Sequence, residues 1–185
     1  MKNKNTLLIV LAIIILVGII LLLTKKETTF RTYTSLNNNY IQNFVESKTY
    51  LDTIVMVGLD KLGINGYSVH IRPQTKGFKI DDEFTTEAFI LGNEYQSAIY
   101  TKESLNRYTA IKILSHELIH LDQYRSGKIK RVGTTGVEWD GELIEDITLI
   151  PYQEREWEKE AFDKGRDLEK EIRKELIEPT RWDIH

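Results

Sequence analysis

One uncharged apolar run near the N-terminus divides the 185-residue chain into two parts of different character. Residues 6–24 read TLLIVLAIIILVGIILLLT, about 19 residues, and at about 1.5 Å of rise per residue a helix of this length nearly spans a hydrocarbon core of roughly 30 Å. No polar face interrupts the run, and the LLLTKKE that ends it lacks the small-x-small cleavage site of a signal peptide. We therefore expect residues 1–25 to form an uncleaved, single-pass transmembrane anchor.

The charges that flank the apolar run hardly distinguish its two orientations. Lys2 and Lys4 precede the run, and Lys25, Lys26 and Arg31 follow it. A short basic leader is typical of signal anchors and favours an N-terminus inside the cytoplasm. The rest of the chain is then expected on the extracytoplasmic side of the membrane.

Composition limits what the rest of the chain can be. Charged residues reach 29% and aromatic residues 10%, a mixture that excludes collagen-like, purely coiled-coil and wholly disordered classes. The net charge of −3 argues against a nucleic-acid partner. Cysteine is absent, so disulfides and thiolate ligands are excluded, and any metal ion must be held by nitrogen and oxygen.

Hydrophobic periodicity predicts one α+β domain over residues 47–178, joined to the anchor by a juxtamembrane spacer over residues 26–46 and followed by a tail over residues 179–185. Its elements are expected in a segregated order: a helix over 47–62, a strand over 67–71, a β-hairpin joining 89–91 to 98–100, a helix over 104–126 and a charged helix over 151–178.

The predicted helix over 104–126 contains two histidines four residues apart. They belong to an HExxH motif, His116-Glu117-Leu118-Ile119-His120, and residues four apart lie on one helical face, so both imidazoles can reach one cation. Glu117 stands beside them and can act as a general base on a bound water. Zinc is the natural metal here, because two imidazoles and one carboxylate leave a fourth position open for water.

A third ligand must come from another part of the chain, and the motif does not identify it. His120 is not followed by the HxxGxxH extension, so a metzincin site is excluded and a carboxylate on a later helix is expected. The segment PYQEREWEKEA over residues 151–161 offers several glutamates. Glu142 and Glu145 are weaker candidates, because they lie in a connection where exposed carboxylates are ordinary.

HExxH followed some tens of residues later by a Glu-x-x-Ala helix resembles the gluzincin branch of zinc metallopeptidases, and the PYxxRxxExEA form is similar to small minigluzincin-type peptidases. The resemblance covers about residues 47–170. It implies a zincin-like fold, in which a small mixed or antiparallel sheet packs on the active-site helix and a C-terminal helix. It also implies that Glu158, three residues before Ala161, is the third zinc ligand, with Glu160 as the runner-up.

Four nearby residues have roles that the sequence leaves open. Several gluzincins place an aspartate or asparagine at the position of Phe162 to support a ligand histidine, and Gln123 could serve instead. Arg155 could hold the Glu158 carboxylate or form a solvated ion pair. Tyr152 is a candidate catalytic residue that would donate to an oxyanion, and the alternative is a packing role at a helix start.

These features predict a membrane-anchored zinc peptidase that acts on a peptide or protein substrate, with Glu117 as its general base. Two alternatives stay open: a non-catalytic, membrane-tethered zincin-like binding or assembly protein, and a hydrolase of a non-protein amide such as cell-wall peptide. The intact Glu117 argues against the first. Gln96–Thr101, just before the motif helix, is predicted to be the edge strand that pairs with substrate. His70 and His185 are expected at the surface.

Overall fold

The computed structural model describes residues 31–34, 38–44, 49–73, 78–79, 85–102 and 104–177. In these ranges it contains three α-helices: α1 (Thr49–Lys61), α2 (Arg107–Arg125) and α3 (Glu156–Leu176). The strands in the same ranges are β1 (Arg31–Thr34), β2 (Tyr40–Asn43), β3 (Ser68–Pro73), β4 (Phe78–Lys79), β5 (Thr85–Thr86), β6 (Ala88–Gly92), β7 (Gln96–Thr101), β8 (Ile129–Val132), β9 (Gly136–Trp139) and β10 (Glu142–Ile144). The predicted α+β class is confirmed.

The largest sheet is mixed and has the strand order β1-β2-β3-β7-β6. β2 and β3 pair in parallel, as do β3 and β7, whereas β1–β2 and β6–β7 are antiparallel. One face is buried along all the central strands, with Ile41, Val69, Ile71 and Ile99 fully buried. Alternate positions along each strand therefore supply the sheet side of the core.

The prediction that Gln96–Thr101 is an edge strand is wrong. β7 has a hydrogen-bonded partner on each side, β3 and β6, so β6 is the strand at that edge of the sheet. The adjacent sequence reveals the β6–β7 hairpin but not the parallel strand that comes from earlier in the chain. β6 also packs directly against α2.

The prediction of a spacer over residues 26–46 is wrong in part. Strands β1 and β2 lie within these residues and belong to the main sheet. β2 is short and polar in composition, but its alternate residues Ile41 and Asn43 are buried against the rest of the sheet. Parallel pairing with β3 provides this burial, and pairing between distant segments leaves little trace in a four-residue sequence.

α2 packs against α1, α3 and β6. It begins after Asn106, whose side chain accepts a hydrogen bond from the Thr109 amide, and it ends before Gly127, which has a φ of 69°. These are the usual polar N-cap and left-handed C-terminal glycine of a helix. The predicted helix over 104–126 is therefore confirmed with its two ends slightly trimmed.

The connection from α2 to α3 holds a three-stranded antiparallel sheet, β10-β9-β8, which the sequence did not predict. Two 3-10 turns follow, Ile147–Leu149 and Tyr152–Glu154, so α3 begins at Glu156 and not at residue 151 as predicted. Arg155 is extended, with a ψ of 126°, and its guanidinium donates to the carbonyl oxygens of Ile150 and Ile147. These bonds hold the connection against the start of α3.

The predicted transmembrane anchor over residues 1–25 and the predicted tail over residues 179–185 lie outside the described residues. Among the helices that the structure describes, none combines the length and the apolar character that a membrane span requires.

Candidate metal centre

Three side chains from α2 and α3 converge on one point, and we call them the inner cluster: His116, His120 and Glu158. The Nε2 atoms of the two histidines lie 3.1 Å apart, and Glu158 Oε2 lies 3.3 Å from His116 Nε2 and 3.2 Å from His120 Nε2. Ligands about 2.0–2.1 Å from a shared tetrahedral ion are roughly 3.3 Å from one another. The inner cluster therefore has the donor atoms and the spacing of a three-ligand metal site.

The electrostatics of the inner cluster couple Glu158 to both histidines. Burial favours the neutral acid, but hydrogen bonds from His116 and His120 outweigh it and lower the pKa of the Glu158 carboxyl. Burial likewise disfavours a charged His120, yet its hydrogen bond and attraction to Glu158 raise the pKa of this imidazole to about 9. The anionic ligand is thus preformed, and a bound cation would replace the proton on His120.

Glu117 lies beside the inner cluster and is 6% exposed. Burial raises the pKa of its carboxyl, although attraction to His116 and His120 partly opposes this change. A raised pKa suits a group that takes a proton from water and later returns it.

A close helix contact sets the distance between α2 and α3. A Cβ atom built on Gly165 would lie 3.2 Å from the Cα and 3.4 Å from the N of His116. Such distances are tighter than most real Cβ contacts, so only glycine permits this approach without a shift. Glu158, two turns earlier on α3, is thereby brought within reach of both histidines.

Tyr152 and Arg155 flank the ligand helix in different ways. Tyr152 donates a hydrogen bond to the Glu158 carboxylate, and burial together with that negative charge raises the pKa of its hydroxyl. Arg155 does not hold Glu158 in the described part of the chain; its guanidinium bonds go to the connection before α3, and its charge lies near the Tyr152 ring. Of these two side chains, it is therefore Tyr152 that contacts the Glu158 carboxylate.

Glu160 belongs to a second group, which we call the outer cluster: Gln123, Lys128, Glu160 and Lys164. Its carboxylate lies 2.9 Å from Lys128 Nζ and 2.6 Å from Lys164 Nζ. Burial opposes ionisation, but hydrogen bonds from Lys164, Lys128 and Gln123 lower the pKa of Glu160 to about 2. Of the two α3 glutamates that the resemblance proposed as ligands, Glu158 is the one that faces the histidines.

The two histidines have different surroundings at Nδ1. His120 Nδ1 lies 2.7 Å from Gln123 Oε1, as expected if Gln123 supports a ligand histidine. His116 Nδ1 is buried and has no hydrogen-bond partner among the described residues, and the ring of Phe162 packs 4.6 Å from the His116 ring. Position 162, where the sequence lacks a polar residue that could support a ligand histidine, thus places an aromatic ring beside His116.

Two cavities meet beside the inner cluster and share Thr86, Glu117 and Tyr152 in their linings. One, of about 230 Å³, is mainly apolar, lies between α2 and α3, and reaches Ile113 and Phe162. The other, of about 260 Å³, runs along β6 and under the connection before α3. Together they form a cleft that passes the candidate metal ligands.

The remaining candidates lie apart from the inner cluster. Glu142 on β10 and Glu145 in the following connection are both exposed, and neither belongs to the metal-ligand group found in the described residues. His70 lies on the half-exposed face of β3, where its Nδ1 is 3.0 Å from Gln42 Oε1. His185 lies outside the described residues.

Sequence reasoning did not identify the residues that shape the cleft and its outer support. Thr86 comes from a two-residue strand, and Lys128 reaches Glu160 across 32 positions of sequence, so no local pattern marks either one. In the sequence, Phe162 stands out only because several gluzincins have an aspartate or asparagine at its position.

Comparison with protein-family models, with curated proteins and with solved structures gave no match.

Proposed function

We propose that the protein is a zinc-dependent peptidase of zincin-like fold, in which the inner cluster holds the ion. The main observation behind this proposal is that His116, His120 and Glu158 present three ligand atoms that lie 3.1–3.3 Å apart. The Glu117 carboxylate is buried beside them and lines both adjoining cavities. A glutamate ligand on a later helix favours the gluzincin arrangement. A purely structural zinc site would have no need of Glu117 in the cleft.

The chain's own residues divide the work of amide hydrolysis among them. A bound zinc ion would supply Lewis acidity, polarising a carbonyl and lowering the pKa of water. Glu117 accepts the proton of the attacking water and passes it to the leaving amine. The Tyr152 hydroxyl lines both cavities, and it would donate to the developing oxyanion once its single hydrogen turns away from Glu158.

The test of this proposal is a paired measurement on the full-length chain. Wild type should contain about one zinc ion and hydrolyse a mixed peptide library. Glu117→Gln should keep the zinc and lose at least about a hundredfold in rate, because an amide keeps the shape but accepts no proton from water. Zinc-free wild type would overturn the proposal, whereas bound zinc without hydrolysis would favour the binding-protein alternative.

The edge strand β6 supports an extended peptide as the substrate. In an antiparallel pair, successive residues alternate between backbone groups that face the partner strand and groups that face away. The bonds from Lys102 N to Glu87 O and from Asn93 N to Gln96 O set this phase, so the N–H and C=O of Ile90 face away from β7. The Ile90 backbone therefore offers a donor and an acceptor to a strand lying in the cleft.

A proline at position 90 tests this assignment. Ile90→Pro removes the outward N–H, and Ile90→Ala is the matched control because it loses the same buried side chain but keeps the donor. KM for a peptide should rise roughly 2–10-fold from the alanine to the proline variant, the value of about one hydrogen bond. Equal KM values in two folded variants would remove β6 from substrate binding.

We also propose that residues 1–25 tether this domain to a membrane, on the grounds of the uncharged apolar run. The full-length chain should stay in the membrane pellet after alkaline extraction, and a chain lacking residues 1–25 should move to the supernatant. Release of the full-length chain by alkali alone would contradict the anchor.

A further inference from the structure

Gln123 is the member of the outer cluster that also contacts the inner cluster. Its side chain is buried, one turn after His120 on α2. Its Oε1 lies 2.7 Å from His120 Nδ1, while Nε2 donates to the carbonyl oxygen of Trp157 at 3.0 Å and to the Glu160 carboxylate at 3.0 Å. The oxygen and the nitrogen of this amide are therefore both engaged.

These partners fix the direction in which the amide points. A backbone carbonyl oxygen only accepts hydrogen bonds, so the NH₂ group must face Trp157; a flipped amide would place two acceptors 3.0 Å apart. The amide oxygen must then face His120, and it too only accepts. His120 Nδ1 must consequently carry a hydrogen, and Nε2 is the ring nitrogen that faces Glu158.

We propose that Gln123 is a positioning residue for zinc, which locks His120 in the ring orientation and Nδ1–H form that present Nε2 to the ion. The inference rests on the proposed function, since it requires zinc at the inner cluster. Lys128 and Glu160 hold the far side of the amide, with Lys128 Nζ 2.9 Å from Glu160 Oε1. His116 has no such partner in the described part of the chain, so the support of the two ligands is unequal.

Zinc affinity of the full-length chain, measured by competition with a chromophoric chelator, tests the role of Gln123. Gln123→Met keeps a similar length and removes the three hydrogen bonds, and it should weaken zinc binding roughly 10–100-fold, as loss of such a partner usually does. Gln42→Met is the matched control, because it removes an equivalent Gln-to-His Nδ1 contact at His70, away from the cleft. Its zinc affinity should equal that of wild type.

Two further readouts separate positioning from mere packing. In nitrogen-15 NMR spectra of the zinc-loaded chain, the Nδ1–H signal of His120 should be slow to exchange in wild type and broadened in Gln123→Met. Gln123→Asn keeps a buried amide but is one methylene shorter, so its oxygen no longer reaches His120, and it should also weaken zinc binding roughly tenfold or more.

The outcomes distinguish this inference from the proposed function. Wild type without zinc affinity overturns both. Wild type with zinc affinity, together with an equal affinity or an unchanged Nδ1–H signal in Gln123→Met, overturns the role of Gln123 alone. If Gln123→Met does not fold, Gln123→Asn decides, and a zinc affinity equal to that of wild type in that variant overturns the inference.

Discussion

The inner and outer clusters use carboxylates from the same stretch of α3, two residues apart, yet the two sites have different chemistry. Glu158 is 6% exposed and faces two imidazoles, whereas Glu160 faces two lysines, one of which has a side chain that is 60% exposed. Side chains two positions apart on a helix point in directions that differ by about 200°, so each carboxylate faces a different neighbour.

The partners of a carboxylate therefore decide whether it can bind a metal ion. The pKa of a lysine side chain is about 10.4, so lysine is positively charged at physiological pH. A carboxylate that is paired with lysines is therefore already neutralised. Histidine can release its proton and present a lone pair instead. The inner cluster can therefore exchange a proton for a metal ion, while the outer cluster remains a set of ion pairs.

Glu158→Gln should weaken zinc binding more than any other substitution in the two clusters. This substitution removes the anionic ligand of the inner cluster, so zinc affinity should fall by more than the roughly 10–100-fold typical of losing an outer partner. Zinc content after dialysis of the full-length chain measures it, with circular dichroism as the check on folding. Full zinc retention in this variant would abolish the distinction between the two clusters.

Zinc affinity should depend on pH through the inner cluster. Because the pKa of His120 is raised to about 9 in the metal-free protein, zinc must displace a proton below that pH. The apparent dissociation constant should rise about tenfold for each pH unit from 9 down to 7, for one displaced proton. Chelator competition at three pH values measures the slope, and a flat profile would contradict the coupling.

The same shift has an opposite consequence for the metal-free fold. A raised pKa of His120 contributes stability that is complete below its unfolded value of about 6.5 and is lost as pH rises through about 9. Thermal melts of the metal-free chain should therefore show a midpoint lower at about pH 9.5 than at about pH 6.5. In Glu158→Gln this particular pH difference should shrink, because the partner that raises the pKa is gone.

Glu160→Gln should have a smaller effect on zinc. The amide introduced at this position can still accept a hydrogen bond from Gln123, so the support of His120 is weakened but not removed, and the affinity should change by less than about tenfold. The same dialysis and competition measurements apply. A loss as large as that of Glu158→Gln would indicate that Glu160 enters the ligand set.

The smallest effect is expected for Lys164→Met. The Lys164 side chain is largely exposed, and such ion pairs contribute no more than about 1 kcal/mol to the free energy of unfolding. Lys128 is less exposed, lies 4.6 Å from the Trp139 ring centroid and also pairs with Glu160, so Lys128→Met should lower the melting midpoint further. Equal midpoints for the two variants would contradict this ranking.

The parts of the site that could be predicted are those encoded by local helical spacing. His116, Glu117 and His120 occupy one helix, and their mutual arrangement follows from its geometry alone. Glu158 lies 38 positions beyond His120, so periodicity could place it on a helix but not against the histidines. Its selection over Glu160 came from the resemblance to gluzincins.

The parts of the fold that could not be predicted depend on pairing between distant segments. β7 was expected at an edge because its hairpin partner β6 is local, whereas its other partner β3 comes from before residue 74. β8, β9 and β10 are three or four residues long and alternate weakly, so propensity gives little indication of them. The predicted spacer extends too far for the same reason, because β2 pairs with the distant strand β3.

The contact between Gly165 and His116 also limits how α3 can slide along α2. A slip of one helical turn would bring Ala161 or Glu169 to the crossing point, where the Cβ atom of each would meet the His116 backbone more tightly than most real Cβ contacts do. Misregistered pairings of the two helices are thus disfavoured by sterics before any ion arrives. The ligand triangle is consequently a property of the folded chain itself, and an incoming cation would find it assembled.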